Sequence, residues 1–349
     1  MILDIDKINF NVSIEDCFRN LKPHPKFSYC SFDNYNPDDN FPSQHYIKET
    51  LINKMRHIER ESDLSNKNNK KGFFNFFKKN DSDNSKKINN LYIDGGYGVG
   101  KTHLLSACYN TAKVPKAFLS FGELCYFFNY LGLENTIEHF SKLKLLLLDE
   151  FELDDPATTR MMAKFFLLIN KNTLIITTSN TLPSDLGKMK FQVDEFAREM
   201  GIIAGSFKTV VVEGVDYRKR RKILNERIAD KYFLEAFKNF KPNDKPKMLV
   251  EYDDLMNTLI NNHPFKYFVI PSSVEAIFIK DLNPFKQLNN ALRFAHLVDH
   301  CYYYNTKLFI RSDSQLTDFF DTEMLESCFS KKFYRCLSRL NELALFFRN

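Results

Sequence analysis

The sequence predicts an α/β fold, a parallel sheet flanked by helices with a C-terminal mixed α/β extension. Three observations carry that expectation: five continuous apolar runs separated by helix-length stretches, a glycine-rich loop directly after the first run, and an acid pair that closes the third. The runs are LYID (91–94), KAFLS (116–120), KLLLLD (144–149), TLIITTS (173–179) and KTVVVEG (208–214). They do not alternate apolar with polar, so each reads as a strand covered on both faces. Residues 101–112 and 156–170 are long enough for crossover helices, and strand–helix–strand repetition implies parallel pairing.

At 349 residues the chain exceeds the size at which one core keeps growing, and four stretches are expected. Residues 1–60 form an arm rich in turns, FDNYNPDDNFPSQ (32–44), leading into a helix that packs on the core. Residues 61–90, rich in Lys, Asn, Ser and Asp, read as a flexible insertion. Its aromatic island GFFNFF (72–77) either folds back on the body or gives a peripheral contact to a membrane or a partner. Residues 91–225 are the core, and residues 226–349 a C-terminal α/β region. Within that region 226–262 reads as helical and charged, 284–305 as a helix, KLFIR (307–311) as a strand and 329–347 as a last helix.

Bulk properties narrow the setting. A net charge of +5 set among 44 acidic residues fits a solvated surface better than a dedicated nucleic-acid patch. Seven cysteines without a close pair suggest neither a disulfide framework nor a zinc site, which favours a reducing compartment. The first thirty residues carry Asp4, Asp6, Glu15 and Asp16 and no apolar run, and no segment reaches the ~18–20 apolar residues of a membrane span. The expectation is a cytoplasmic protein.

Gly95-Gly96-Tyr97-Gly98-Val99-Gly100-Lys101-Thr102 fits G-x-x-x-x-G-K-[ST], between a strand and a helix, the placement such a phosphate loop needs. Its N–H groups and the helix dipole hold phosphates, Lys101 reaches the β and γ phosphates, and Thr102 coordinates Mg²⁺. His103, next in the helix, adjoins this stretch without a part in the chemistry. A buried strand ending in Asp149 sets a second Mg²⁺ ligand at the carboxyl edge of the sheet, and Glu150 follows as general base for the attacking water. Asn180, at the end of the next run, stands at the same edge to bond the γ-phosphate or the water.

The succession of this loop, LLLLDEF, TTSNTLP and VEGVDYRKR resembles the AAA+ ATPases of the ZapE type, division-associated bacterial relatives of a mitochondrial ATPase. The arm ending in Pro42-Ser43-Gln44, the Asp216-Tyr217-Arg218 strand and the tail with Arg335, Ser338 and Arg339 extend the likeness over nearly the whole chain. The resemblance implies a P-loop AAA+ fold, ATP hydrolysis with Mg²⁺, remodelling of a protein partner, and assembly into a homo-oligomer completed by a neighbour's arginine. Arg198 is the candidate for that arginine and Arg293 for one sensing the γ-phosphate in cis, while Gln44 is a candidate for approaching the adenine. A nucleic-acid loader and a nucleotide-switched scaffold are the competing functions.

Overall fold

The computed structural model describes residues 1–71, 90–96, 98–153, 155–182, 196–215, 228–327 and 329–348. Tyr97, the aromatic island at 72–77 and the Asp216-Tyr217-Arg218 strand lie outside the described residues. The chain divides into two compact units: Met1–Asn20, His24–Lys26 and Arg221–Asn349 make one, Leu21–Pro23 and Phe27–Arg220 the other.

In chain order, α1 (Ile14–Arg19) starts on Ser13, whose hydroxyl accepts the Asp16 N–H. The long α2 (Pro42–Lys71) continues through residues 61–71, which the sequence predicts as flexible. Those residues include neither Pro nor Gly before Gly72, so nothing stops a helix already under way. The central unit then runs β1 (Asn90–Gly95), α3 (Lys101–Thr111), β2 (Lys116–Ser120), α4 (Phe121–Leu131), α5 (Leu133–Phe140), β3 (Leu145–Asp149), α6 (Pro156–Leu168), β4 (Leu174–Ser179), α7 (Ala197–Gly205) and β5 (Phe207–Val212). All five predicted strands are present, in the order β2-β3-β4-β1-β5, every pair parallel. Successive residues of each strand serve opposite faces. Leu91, Ile93, Leu145 and Leu147 pack with Ile47, Leu51 and Met55 of α2 and Leu104 and Cys108 of α3. On the other side Tyr92 meets Phe151 and Phe207 edge-on, and Phe166 of α6 covers Phe207.

The remaining elements are β6 (Ile228–Ala229), α8 (Phe233–Asn239), β7 (Lys247–Glu251), α9 (Tyr252–Asn261), α10 (Val269–Ser273), β8 (Ala276–Lys280), α11 (Leu288–Tyr304), β9 (Lys307–Arg311), α12 (Thr322–Glu326), α13 (Ser330–Leu343) and β10 (Ala344–Arg348). They build a second, wholly parallel sheet, β6-β10-β9-β8-β7. Two expectations are corrected here: β7 interrupts the stretch read as helical, and the last helix stops at Leu343 because the next four residues pair with β9. The strands β7 to β10 advance in one direction, and right-handed crossovers then put α9, α11 and α13 on a single face. Their Leu259, Phe294, Leu297, Phe333 and Leu340 bury Val250, Ile277, Ile279 and Ile310. Phe233 of α8 covers the reverse face, where Phe278 and Phe309 stack 4.1 Å apart.

Between α11 and α13 this core admits charge. Arg335 donates to Asp299 at 2.7 Å, and Arg339, 3% exposed, pairs with the same carboxylate while its guanidinium lies 4.7 Å from the rings of Tyr302 and Tyr303. Burial pushes the Asp299 carboxyl up, but Arg335 and Arg339, with His296, outweigh it and hold it at about 2. The neighbouring His300 is pushed down to about 4, by burial first and by His296 and Arg339 against the opposing Asp299 and the Pro264 carbonyl. A histidine kept neutral in the folded chain loses stability as pH falls, since only the unfolded chain takes the proton between the ordinary value of about 6.5 and about 4. Unfolding free energy should therefore drop by about 1–2 kcal/mol from pH 7 to pH 5, and a His300→Gln variant should flatten that slope in denaturant titrations at the two pH values.

Candidate functional site

The glycine loop takes its shape from what surrounds it. Gly95 pairs with Val212 of β5, and a Cβ there would stand 2.4 Å from the Val212 carbonyl oxygen, so a side chain would force the sheet edge apart. Gly100 has φ +89° at the N-cap of α3, and its missing side chain leaves room for the Tyr35 ring, 2.7 Å from an added Cβ. The Tyr35 hydroxyl donates to the Val99 carbonyl at 3.3 Å, so the arm forms the back wall of the loop. Gly96 and Gly98 complete its described residues, Gly98 at φ +75°.

Lys101, 9% exposed, points its ammonium back across the loop. Nζ donates to the carbonyls of Gly95 and Gly96 at 2.7 Å each and to Asn180 Oδ1 at 2.8 Å. Thr102 Oγ1 donates to Asp149 Oδ1 at 3.3 Å. Five of the candidate residues, Lys101, Thr102, Asp149, Glu150 and Asn180, thus meet at the carboxyl edge of the first sheet.

Asp149 closes β3 opposite Ser120 of β2, and Glu150 leaves the strand at φ +54°, a left-handed conformation that costs a non-glycine residue roughly 1–2 kcal/mol. Three hydroxyls of β4 hold this exit. Thr177 donates to the Leu148 carbonyl at 3.0 Å and Ser179 to the Phe151 carbonyl at 2.8 Å. Thr178, between them, donates to Asp149 and accepts the Glu150 N–H at 3.1 Å. Burial, and after it the charge of Glu150, raises the Asp149 carboxyl against hydrogen bonds from Thr178 and Thr102 and the charge of Lys101. A buried carboxylate beside a hydroxyl and a second acid is a hard-oxygen donor set suited to Mg²⁺, which takes few protein ligands.

Sequence reasoning missed two members of this neighbourhood. Glu123 is a third carboxylate: its Oε2 accepts from Ser120 N–H at 2.6 Å and hydroxyl at 2.9 Å in a capping box. Burial raises its carboxyl, and the charges of Asp149 and Glu150 add to the shift. Ser-x-x-Glu after an apolar run was a legible signal for it. Thr178 was legible only as a strand residue.

The other candidates make contacts of their own. Gln44, 1% exposed, accepts the Asp38 N–H and donates to the Glu213 carbonyl, both at 2.9 Å, and Ser43 Oγ accepts the Glu213 N–H at 2.9 Å. Pro-Ser-Gln therefore fastens the arm to the end of β5. A cavity of about 570 Å³ lies beside this clasp, lined by Asn40, Phe41, Asp94, Gly95, Gly96, Asn180 and residues 211–214, a volume that suits a nucleoside. The His103 ring contacts the Ser31 carbonyl at 3.0 Å and lies 5.6 Å from Tyr35. Arg198 is exposed on the first turn of α7, whose start is held by Arg160 of α6 stacked 4.9 Å over Phe196. Arg293 belongs to the other unit, where it contacts Asn290 at 3.5 Å and faces Tyr267.

A glycine loop leading into a helix with Lys-Thr at its start, opposite an acid pair at the carboxyl edge of a parallel sheet, defines the class: a nucleotide-binding P-loop protein. Residues 32–240 and 246–345 match the AFG1-like ATPase family, and the chain belongs to that family, which is also that of ZapE. Among curated proteins it is 32% identical over 157 residues to the chromosomal replication initiator protein DnaA of Streptococcus mutans, covering 41% of this chain and 33% of that protein. DnaA of Geobacter metallireducens is 34% identical over 113 residues, 29% of this chain and 25% of that one. The chain thus spans a third or less of the length of these relatives. Of solved structures, AMPPCP-bound DnaA from Aquifex aeolicus shares 18% identity at a TM-score of 0.38, over 62% of this chain and 56% of that one. The DnaC helicase loader shares 18% at 0.35, over 54% and 99%. Among the described residues no helix is long and apolar enough to cross a membrane.

Proposed function

We propose that this protein hydrolyses ATP with Mg²⁺ and uses the cycle to remodel a protein partner in the cytoplasm, in the division machinery or in quality control. It would work as an assembly of identical chains in which Arg198 of one reaches the site of the next. The observation that supports this reading is the convergence of Lys101, Thr102, Asp149, Glu150 and Asn180 on one sheet edge. Phosphate oxygens would replace the Gly95, Gly96 and Asn180 oxygens as acceptors for Lys101 Nζ, and so free the Asn180 amide toward the γ-phosphate. Water attacks the γ-phosphorus as the bond to the bridging oxygen breaks and ADP leaves, and Glu150 takes the water's proton. Thr102 and Asp149 would hold Mg²⁺, which supplies positive charge against the negative charge developing on the phosphates. The clasp of Ser43 and Gln44 borders the cavity offered to the nucleoside, so Gln44 would act there by shaping its wall.

A second reading, an ATPase that acts on nucleic acid, is favoured by the identity with replication initiators over 157 residues. One experiment separates the two: steady-state phosphate release against protein concentration, for the unaltered chain and Arg198→Ala, with and without DNA. The expected rate per subunit rises with concentration, is indifferent to DNA, and falls by at least about 10³-fold in the variant, the lower end of what arginine fingers supply. A flat rate that DNA stimulates and the variant retains would establish the second reading. Tight ATP binding with hardly any turnover would instead describe a nucleotide-switched scaffold.

A further inference from the structure

We propose that Thr178 is a positioning residue for the Asp149–Glu150 pair, an inference that rests on the ATP-hydrolysing reading above. The main-chain ladder between β3 and β4 ends at Leu148 opposite Thr177. One residue further, Asp149 pairs with the other neighbour, β2, and Glu150 turns out of the strand at φ +54°. From that point Thr178 takes over what the ladder no longer does. Its hydroxyl donates to Asp149 Oδ1, the same oxygen that accepts from Thr102, and accepts the Glu150 N–H at 3.1 Å. Its carbonyl accepts the Phe151 N–H at 2.7 Å. The direction of each bond is settled by chemistry: an amide N–H can only donate, so the hydroxyl's one hydrogen goes to the carboxylate.

Three consecutive residues are therefore bonded to one. The hydroxyl binds both the carboxylate offered to Mg²⁺ and the backbone of the base, and couples their positions. At 1% exposure, no solvent substitutes for it. Valine has the same shape but neither donates nor accepts, so Thr178→Val leaves Asp149 and the Glu150 N–H without this partner in a dry place. Serine keeps both bonds.

The test compares phosphate release, affinity for a fluorescent ATP analogue with and without Mg²⁺, and melting temperature in the unaltered chain, Thr178→Val and Thr178→Ser. Thr178→Val should lower kcat by about 10- to 100-fold, the cost of an ångström-scale misplacement, with Mg²⁺-free affinity within about threefold and Thr178→Ser close to the unaltered rate. If Thr178→Val does not fold, Thr178→Ala stands in for it. A valine variant within about threefold of the unaltered kcat, or a serine variant as slow as the valine one, would overturn the proposal. Should the unaltered chain release no phosphate above Glu150→Gln, the hydrolysis reading falls and the Mg²⁺ arm decides the role of Thr178. A Mg²⁺-induced gain in affinity lost in the valine variant and kept in the serine variant supports positioning of Asp149; an equal gain in all three refutes it.

Discussion

Replacing Glu150 with glutamine lowers phosphate release by about 10²–10⁴-fold, the range general bases contribute, while ATP continues to bind. Glutamine matches glutamate in size and in its tolerance of φ +54°, so the exit from β3 keeps its hydrogen bonds to Thr178 and Ser179. Lys101 and the glycine loop are untouched, and the loss falls on the proton-accepting oxygen alone. A second variant separates chemistry from architecture. Glycine adopts positive φ without strain, so Glu150→Gly should melt no lower than the unaltered chain although it too loses hydrolysis. Stability retained as activity vanishes is the signature of a residue held in an unfavourable conformation for its function. Glu150→Gln turning over at the unaltered rate would remove Glu150 from the role of base.

The largest expected loss of stability lies in the other unit. Asp299→Asn removes the carboxylate that Arg335 and Arg339 share, in a site where Arg339 is 3% exposed. Breaking a buried pair from one side costs about 3–5 kcal/mol, because the remaining charge has lost both its partner and its water. Denaturant titration of the variant should show that drop at pH 7. Adding Arg335→Met to Asp299→Asn should recover part of it, since one of the two cations that shared Asp299 is gone, and the two effects will fail to add. A single variant within 1 kcal/mol of the unaltered chain would mean that water enters between α11 and α13 and solvates the arginines.

The first sheet could be read residue by residue because its strands are long apolar runs framed by turns and helix-length spacers. The second sheet was less legible. KMLVE of β7 sits among charged residues, and its five residues are too few to outweigh a helical reading of their surroundings. ALFFR of β10 follows α13 without a glycine or proline between them, so only its pairing with β9 tells strand from helix. The site divides in the same way. Lys101, Thr102 and Asp149 follow from local spacing, but Thr178 acts through register, and a β-branched residue in a strand announces only that it is in a strand. Arg335 and Arg339 carried the tail's resemblance to a family without saying why; their common partner, Asp299, lies on α11, more than thirty positions earlier.

The strand order has a consequence for how the protein comes to exist. β1 sits between β4 and β5, and both are synthesised after it, beginning at Leu174 and Phe207. The strand that launches the glycine loop therefore emerges from the ribosome with two bare edges, and keeps the one that β5 will cover until nearly all of its unit has been translated. Closing such distant pairings is slow, and it leaves an apolar ribbon open to neighbouring chains in the meantime. Because Gly95 is seated by Val212, the last residue of β5, the phosphate cradle is finished only when the final strand docks. A nascent chain stalled short of β5 would have the whole glycine motif and no means of closing it around a nucleotide.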